Sequence, residues 1–444
     1  VPRFDDIEHA GLTDVGIRRS HNQDAFSVQS APDADYWQKV GHVFIVADGM
    51  GGHAVGEKAS AQAVQEIPLT YAKHAQEGPP GALRRAFQEA NALIHSVGQS
   101  NPEFRGLGTT ATALVLREEG AWVGHVGDSR AYRIRDGKID QLTFDHSYAW
   151  EMARRLGIPP EDLSDVKKNV IIRSLGPDLL VQIDIEGPHP TLPGDTYVLC
   201  SDGLSNQVNP EELGTVVTAL GPTEAARFLV ELANLRGGPD NITVVIVRVG
   251  GNEASTKAVA VKPASQFKIK LQRVWNAWKR MVPWPLTVLS AGFVFAVLAV
   301  AFAVTDTGGT SIFLALAAIS VIAGLIGLVL HAKRENAQLN NDPEPPRQLN
   351  VYRDYPCKIE RPLVDKLLKL GLHLQEQLEG RPFAVDWATY RQHNGLAQRH
   401  LEDGDLLASF REQCRALSGL AATFNRNRPR EEGFKPKWET AADA

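Results

Sequence analysis

The sequence predicts a mixed domain of the α+β class, then a transmembrane helical hairpin, then a small all-α domain. Three observations carry this expectation: short β-rich runs closed by Gly or Asp up to Val249, two long apolar runs without charge, and leucine stripes at helical spacing after residue 360. At 444 residues the chain exceeds what one hydrophobic core usually organises, so several units are expected.

In the first zone, HVFIVADG from His42, TTATALVL from Thr109, AWVGHVGD from Ala121, DTYVLCSDG from Asp195 and NITVVIVRV from Asn241 read as strands. Between them, Lys58 to His74 and Ala82 to Ser96 place apolar residues at helical spacing and read as long helices lying on a sheet. This first domain is expected over residues 1–250.

The apolar runs are Pro285 to Val304 and Ser311 to Leu330, each of the length that crosses a bilayer as a helix, joined only by TDTGGT. Lys268, Lys270, Arg273, Lys279 and Arg280 precede the first run, Lys333 and Arg334 follow the second, and the short link has neither Lys nor Arg. By the positive-inside rule both flanking domains face the cytoplasm, so the expected location is a two-pass integral membrane protein anchored through 285–330. Residues 251–284 read as a linker and basic juxtamembrane segment, with Trp275, Trp278 and Trp284 near the interface. Residues 331–349 form a second linker. Leu363, Leu367, Leu370, Leu374 and Leu378, then Leu406, Phe410, Cys414, Leu417 and Leu420, mark two helices of a cytoplasmic domain over 350–424, before a charged tail over 425–444.

Composition excludes several classes. A formal net charge of −5 is not that of a nucleic-acid-binding chain, so no nucleic acid partner is expected. Cys200, Cys357 and Cys414 are three, and lack metal-ligand spacing, so neither a disulfide framework nor a zinc site is expected and a reducing compartment fits. Val1 to Gly16 holds acidic residues and no apolar run, hence no secretory signal is read there.

The chemistry lies in acidic residues at strand ends. Asp48 closes one strand and is followed by Gly49, whose lack of a side chain lets backbone approach an ion. Asp128 and Asp202 follow two further strands, and Asp240 just precedes a fourth. Carboxylates converging on one edge of a sheet repel one another unless a cation neutralises them, and oxygen-only ligands select Mg²⁺ or Mn²⁺ over zinc. Upstream, TDVGIRRSHNQDAF adds Arg19 and Asp24, and arginine is suited to gripping a phosphate through two parallel hydrogen bonds.

TDVGIRRSHNQD, VADGMGGH, GTTATALV, HVGDSRAY, VLCSDGLSN and GGPDNITVV resemble, in order and spacing, the motifs of the PPM (PP2C-type) protein phosphatases, most closely the bacterial branch. The resemblance covers Ala10 to Val249. It implies an αββα four-layer sandwich, two antiparallel sheets flanked by helices, with two divalent metals, Mn²⁺ or Mg²⁺, at one end. Carried over residue by residue, it implies that Asp48 bridges both metals, that the Gly49 carbonyl is a further ligand, and that Asp202 and Asp240 hold one metal. It further implies that Asp24 holds a metal-bound water, that Asp128 with Asp202 forms a weaker third site, and that Arg19 binds the substrate phosphate. The implied activity is hydrolysis of phospho-Ser and phospho-Thr in phosphoproteins by direct attack of a hydroxide bridging the two metals, since two adjacent divalent ions lower the pKa of a shared water. A Ser/Thr protein kinase is the implied opponent. Gln23 stands where the family usually has Glu, and Met50 where eukaryotic members have a histidine proposed as general acid; His53 is read as structural. Asp145 to Asn169 falls where the family has a mobile flap, and its charged, helix-forming composition fits a substrate-selecting flap and an inert surface excursion equally.

Overall fold

The computed structural model describes residues 6–51, 56–104, 106–163, 170–250 and 351–428, together with parts of 290–323. In chain order the elements are β1 (Ile7–Asp14), β2 (Asp24–Gln29), α1 (Ala34–Lys39), β3 (His42–Met50), α2 (Gly56–Lys73) and α3 (Pro79–Ser100). There follow β4 (Gly108–Thr109), β5 (Ala111–Arg117), β6 (Gly120–Val126), β7 (Arg130–Arg135), β8 (Lys138–Gln141), α4 (Tyr148–Leu156), β9 (Asp184–His189) and β10 (Thr196–Cys200). The last are α5 (Asp202–Ser205), α6 (Pro210–Ala219), α7 (Pro222–Leu235), β11 (Ile242–Val249), β12 (Arg353–Pro356), α8 (Arg361–Leu378), α9 (Trp387–Glu402) and α10 (Leu406–Asn427).

Two antiparallel sheets result, one ordered β1-β11-β10-β7-β8-β12 and the other β2-β3-β5-β6-β9 with β4 on β3. The five strands and two helices expected from the sequence are present as β3, β5, β6, β10, β11, α2 and α3. Their near-continuous apolar composition reflects burial on both faces, with successive side chains entering different layers. Phe44 and Val46 of β3 meet Tyr197, Leu199, Val245 and Val247 between the sheets, while Ile45 and Ala47 point outward into the layer of α2 and α3, among Ile67, Phe87 and Ile94. In the other sheet Val198, Cys200, Val244 and Ile246 point outward against α6 and α7. This is the αββα sandwich.

The C-terminal residues depart from expectation. Instead of an independent helical domain over 350–424, the described residues 351–428 belong to the same compact unit as those of the first 250 residues. They open with a strand, β12, which extends the first sheet beside β8, and they hold three helices, one more than the leucine stripes indicate. Val364, Leu367, Leu374, Phe410, Cys414 and Leu417 share one core with sheet 1, α6 and α7. The stripes look alike whether they face one another or a neighbouring domain, and only the partner surface decides.

The second unit comprises residues 255–345. Its two apolar runs are described only in part, and most of the segments around them lie outside the described residues. Residues 312–321 are helical and carry exposed Ile312, Leu314 and Ile319. Among the described residues no helix is long and apolar enough to cross a membrane, so the expected hairpin has no support here.

Candidate active site

Acidic side chains from both sheets meet at one end of the sandwich. Antiparallel register sets Asp24 of β2 directly opposite Asp48 of β3. Asp202 opens α5 just after β10, Asp240 lies just before β11, and β10 and β11 are neighbours. Asp128 sits where the chain passes from β6 in one sheet to β7 in the other. Four of the five therefore lie at strand termini, where backbone can turn towards a ligand without breaking a ladder.

The scaffold around them is tightly hydrogen-bonded. The Asp48 N–H donates to Thr110 Oγ1 at 2.9 Å, and Thr110 N–H returns to the Asp48 carbonyl at 2.8 Å. Ser201 Oγ donates to Asp24 Oδ2 at 2.7 Å and accepts from Thr243 N–H at 2.9 Å. Asn241 holds the loop that carries Arg19, its Nδ2 donating to the carbonyls of Val15 and His21 while its Oδ1 accepts from Gln23 N–H. Gly16 has φ +78, and a Cβ there would run into the Asp240 carbonyl, so glycine is required where this loop crosses the site. Gln23 contributes its backbone: its carbonyl accepts from Gly49 N–H at 3.0 Å and from Ser60 Oγ. Any side chain on Gly49 would strike the carbonyls of Gln23 and Gly56. Thr110, Ser201 and Asn241 were not singled out in the sequence, although each lies inside a quoted motif, because a residue that orients a carboxylate leaves no spacing pattern of its own.

Electrostatically the cluster is unfavourable as it stands. Burial first, then the surrounding carboxylates, push Asp48 and Asp128 well above the usual range. Asp24 is pushed up to about 7 by burial, against the lowering hydrogen bond from Ser201, and Asp202 to about 6 by burial and the charge of Asp240. Buried Oδ1 atoms of Asp24, Asp128 and Asp202 have no hydrogen-bond partner in the protein. Oxygens that are buried, mutually repelling and unpartnered are what a hard divalent cation satisfies. Among the described residues no three His, Cys, Asp or Glu side chains form a ready-made cage for one ion. A cage is not required, since Mg²⁺ keeps several waters and is held by one or two carboxylates. The donor set therefore fits hard divalent metals.

Arg19 is beside this cluster, its Nη2 donating to Asp240 Oδ2 at 2.7 Å, with about half of its side chain exposed. The structure thus brings Arg19, Asp24, Asp48, Gly49, Asp128, Asp202 and Asp240 to one end of the molecule; His53 lies outside the described residues. A cleft of about 340 Å³ leads away from Asp128 and Asp202. It is bordered by Arg130, whose guanidinium is clamped by Asp145 at 2.7 Å, and by Trp150 of α4. The residues flanking α4 pack beside Asp128: before it His146 N–H donates to the Gly127 carbonyl and Gly127 N–H donates to His146 Nδ1, and after it Ile172 N–H donates to the His146 carbonyl. With Nδ1 accepting, the His146 proton sits on Nε2, 3.2 Å from Asp184.

A two-sheet sandwich with oxygen ligands for hard metals and an arginine at their side defines a metal-dependent hydrolase of phosphate esters. The sequence profile of the protein phosphatase 2C family matches residues 17–234. The serine/threonine phosphatase stp of Listeria welshimeri is 36% identical over 242 residues, a match covering 53% of this chain and 93% of that protein. The serine/threonine protein phosphatase PstP of Mycobacterium tuberculosis is 32% identical over 250 residues, covering 55% of this chain and 45% of PstP. A crystal structure of a bacterial serine phosphatase superposes with a TM-score of 0.50 at 27% identity, over 56% of this chain and 99% of that one. The chain belongs to the protein phosphatase 2C family, and is a metal-dependent Ser/Thr protein phosphatase.

Proposed function

We propose that this protein removes phosphate from phospho-Ser and phospho-Thr side chains of protein substrates by direct hydrolysis, without a covalent phosphoenzyme. The observation that carries this reading is the set of buried, partnerless carboxylate oxygens on Asp24, Asp128 and Asp202 around Asp48, with Arg19 alongside. Asp48, the Gly49 carbonyl, Asp202 and Asp240 are the groups that would hold two Mn²⁺ or Mg²⁺ ions, with Asp24 acting through a water and Asp128 with Asp202 offering a weaker third position. Such ions, when bound, make water a nucleophile near neutral pH and offset charge on the phosphoryl oxygens. Arg19 presents a planar fork to the phosphate and orients it for in-line attack. Thr110, Ser201 and Asn241 hold the carboxylates and the Arg19 loop in place, so little rearrangement is needed on binding.

The test uses the full chain with p-nitrophenyl phosphate and added Mn²⁺. Turnover is expected from the parent protein, and Asp48→Asn is expected to lower it by about three orders of magnitude or more, the scale on which removal of key charge-stabilising groups acts. Comparable turnover by both proteins would refute the two-metal assignment.

We further infer that residues 285–330 anchor the phosphatase to a membrane with 1–250 and 350–444 on its cytoplasmic face, where it opposes a Ser/Thr protein kinase. The support is the two uncharged runs, the basic residues outside them and the link without Lys or Arg. Reporters fused after Gly250 and after Leu349 should report the same side of the membrane; opposite sides would rule the hairpin out.

A further inference from the structure

The cleft beside Asp128 and Asp202 has one wall made by a segment that comes much later in the chain. Strand β12 pairs antiparallel with β8, Arg353 opposite Gln141 and Tyr355 opposite Ile139, and the backbone bonds from Tyr352 to Gln141 and from Cys357 to Gly137 extend the pairing at both ends. This docking carries Arg353 and Tyr355 to the border of the cleft.

Arg353 is committed there by three contacts. Its guanidinium lies over the indole of Trp150, 4.5 Å from the ring centroid. Its Nη1 and Nη2 grip the two carboxylate oxygens of Glu161, the second at 2.8 Å, and Nη1 also donates to the Tyr355 hydroxyl at 3.2 Å. Trp150 lies on α4 and Glu161 in the short helical turn at 160–162, so one side chain joins the C-terminal strand to both parts of the segment that flanks the active site. The indole is held in turn by Arg130 on its ring and by Phe144 edge-on, with centroids 5.2 Å apart. Next in sequence, Tyr352 rests against Phe144 and donates to Glu186. An exposed ion pair alone would hold little, but a bidentate fork stacked on a buried indole is far more directional.

Relative to stp the arrangement is an addition. The match to stp takes up 93% of that protein and leaves no room in it for a counterpart of residues 351–428. Meanwhile the 148–158 stretch bears exposed Tyr148, Leu156 and Ile158, apolar surface that a protein substrate could meet and a small phosphate ester could not.

We propose that Arg353 is a positioning residue through which the C-terminal strand sets the wall of the active-site cleft, so that residues 351–356 tune recognition of the polypeptide flanking the phosphorylated side chain. The proposal rests on the phosphatase reading above. It therefore calls for a readout that does not depend on turnover.

The full chain and its Arg353→Ala variant are compared on p-nitrophenyl phosphate and on a phosphothreonine peptide, and amide hydrogen exchange is followed over 148–162. The variant is expected to keep kcat/KM for the small ester within about twofold, to raise KM for the peptide about five- to tenfold with kcat little changed, and to speed exchange over 148–162. Arg353→Lys, which keeps a cation over Trp150 without the fork, should fall between, and the exchanged pair Arg353→Glu with Glu161→Arg should recover part of the peptide KM. Unchanged peptide KM and unchanged exchange overturn the proposal. Equal losses on both substrates also overturn it, because Arg353 would then serve the fold alone. Should the parent hydrolyse neither compound, the phosphatase reading fails by itself, and exchange still decides whether Arg353 holds the segment.

Discussion

Helices α2 and α3 cover sheet 2 and present Glu57, Lys58, Gln65, Arg85, Gln88 and Glu89 to water, whereas α6 and α7 cover sheet 1 and are themselves covered by the C-terminal helices. The difference is written into their composition. In α6 the run Glu212 to Val217 is buried throughout, with only Glu211 and Thr218 exposed at its two ends, and a turn buried on every side needs another layer. Gly214 shows how close that layer comes: a Cβ there would lie 2.8 Å from the Cys357 Cβ just beyond β12. At the rim Lys366 and Arg236 both pair with Glu212, and Arg415 pairs with Glu224. Two covers of one sandwich thus do different work: one ends the fold, the other continues it into a segment that reaches the active-site cleft.

The largest effect should come from the core of the second cover. Phe410 and Phe87 are both fully buried, one in α10 and one in α3, and truncating either to Ala is expected to cost about 3–5 kcal/mol. Urea unfolding followed separately through activity and through helix content checks this. If the two covers belong to one cooperative unit, Phe410→Ala shifts both signals together, as Phe87→Ala does; a shift in helix content alone would show that α8–α10 unfold independently.

A smaller effect sharpens the contrast by pH. Glu231 of α7 accepts from Ser418 of α10 at 2.5 Å, and burial pushes its carboxyl up to about 7, against the lowering influence of Ser418 and Arg227. Because the folded state disfavours the charged form, this site is at its most favourable below the ordinary value of 4.5, and its contribution to stability is lost as pH rises from there through about 7. Glu231→Gln should flatten that decline, by an amount on the order of 1–3 kcal/mol between pH 5 and 8, in denaturation midpoints measured across the range. A slope identical to that of the parent would place the sensitivity elsewhere.

Much of the site is legible in the sequence. Asp48, Asp128 and Asp202 announce themselves because an apolar strand that runs into a carboxylate is a local pattern, Asp240 because it just precedes such a strand, and four carboxylates at strand ends imply a shared edge. Arg19 and Asp24 depended on the family motif. Thr110, Ser201 and Asn241 escaped because their work is to fix the geometry of another residue. The flanking segment was located by its place in the chain, but nothing in Asp145 to Asn169 indicates that Trp150 and Glu161 are held by a residue near position 350.

By itself, then, the sequence determined five of the strands and the two long helices between them, the family, the oxygen-rich chemistry of the site and the apolarity of residues 285–330, since each rests on patterns a few residues long. The tertiary structure alone decided that β12 closes the edge of sheet 1, that α8–α10 share its core, and that Arg353 faces Trp150. Those depend on which surfaces meet between segments far apart in the chain. An amphipathic stripe or an edge strand records only that it needs a partner, while the identity of that partner is settled by the burial it can obtain in the folded chain.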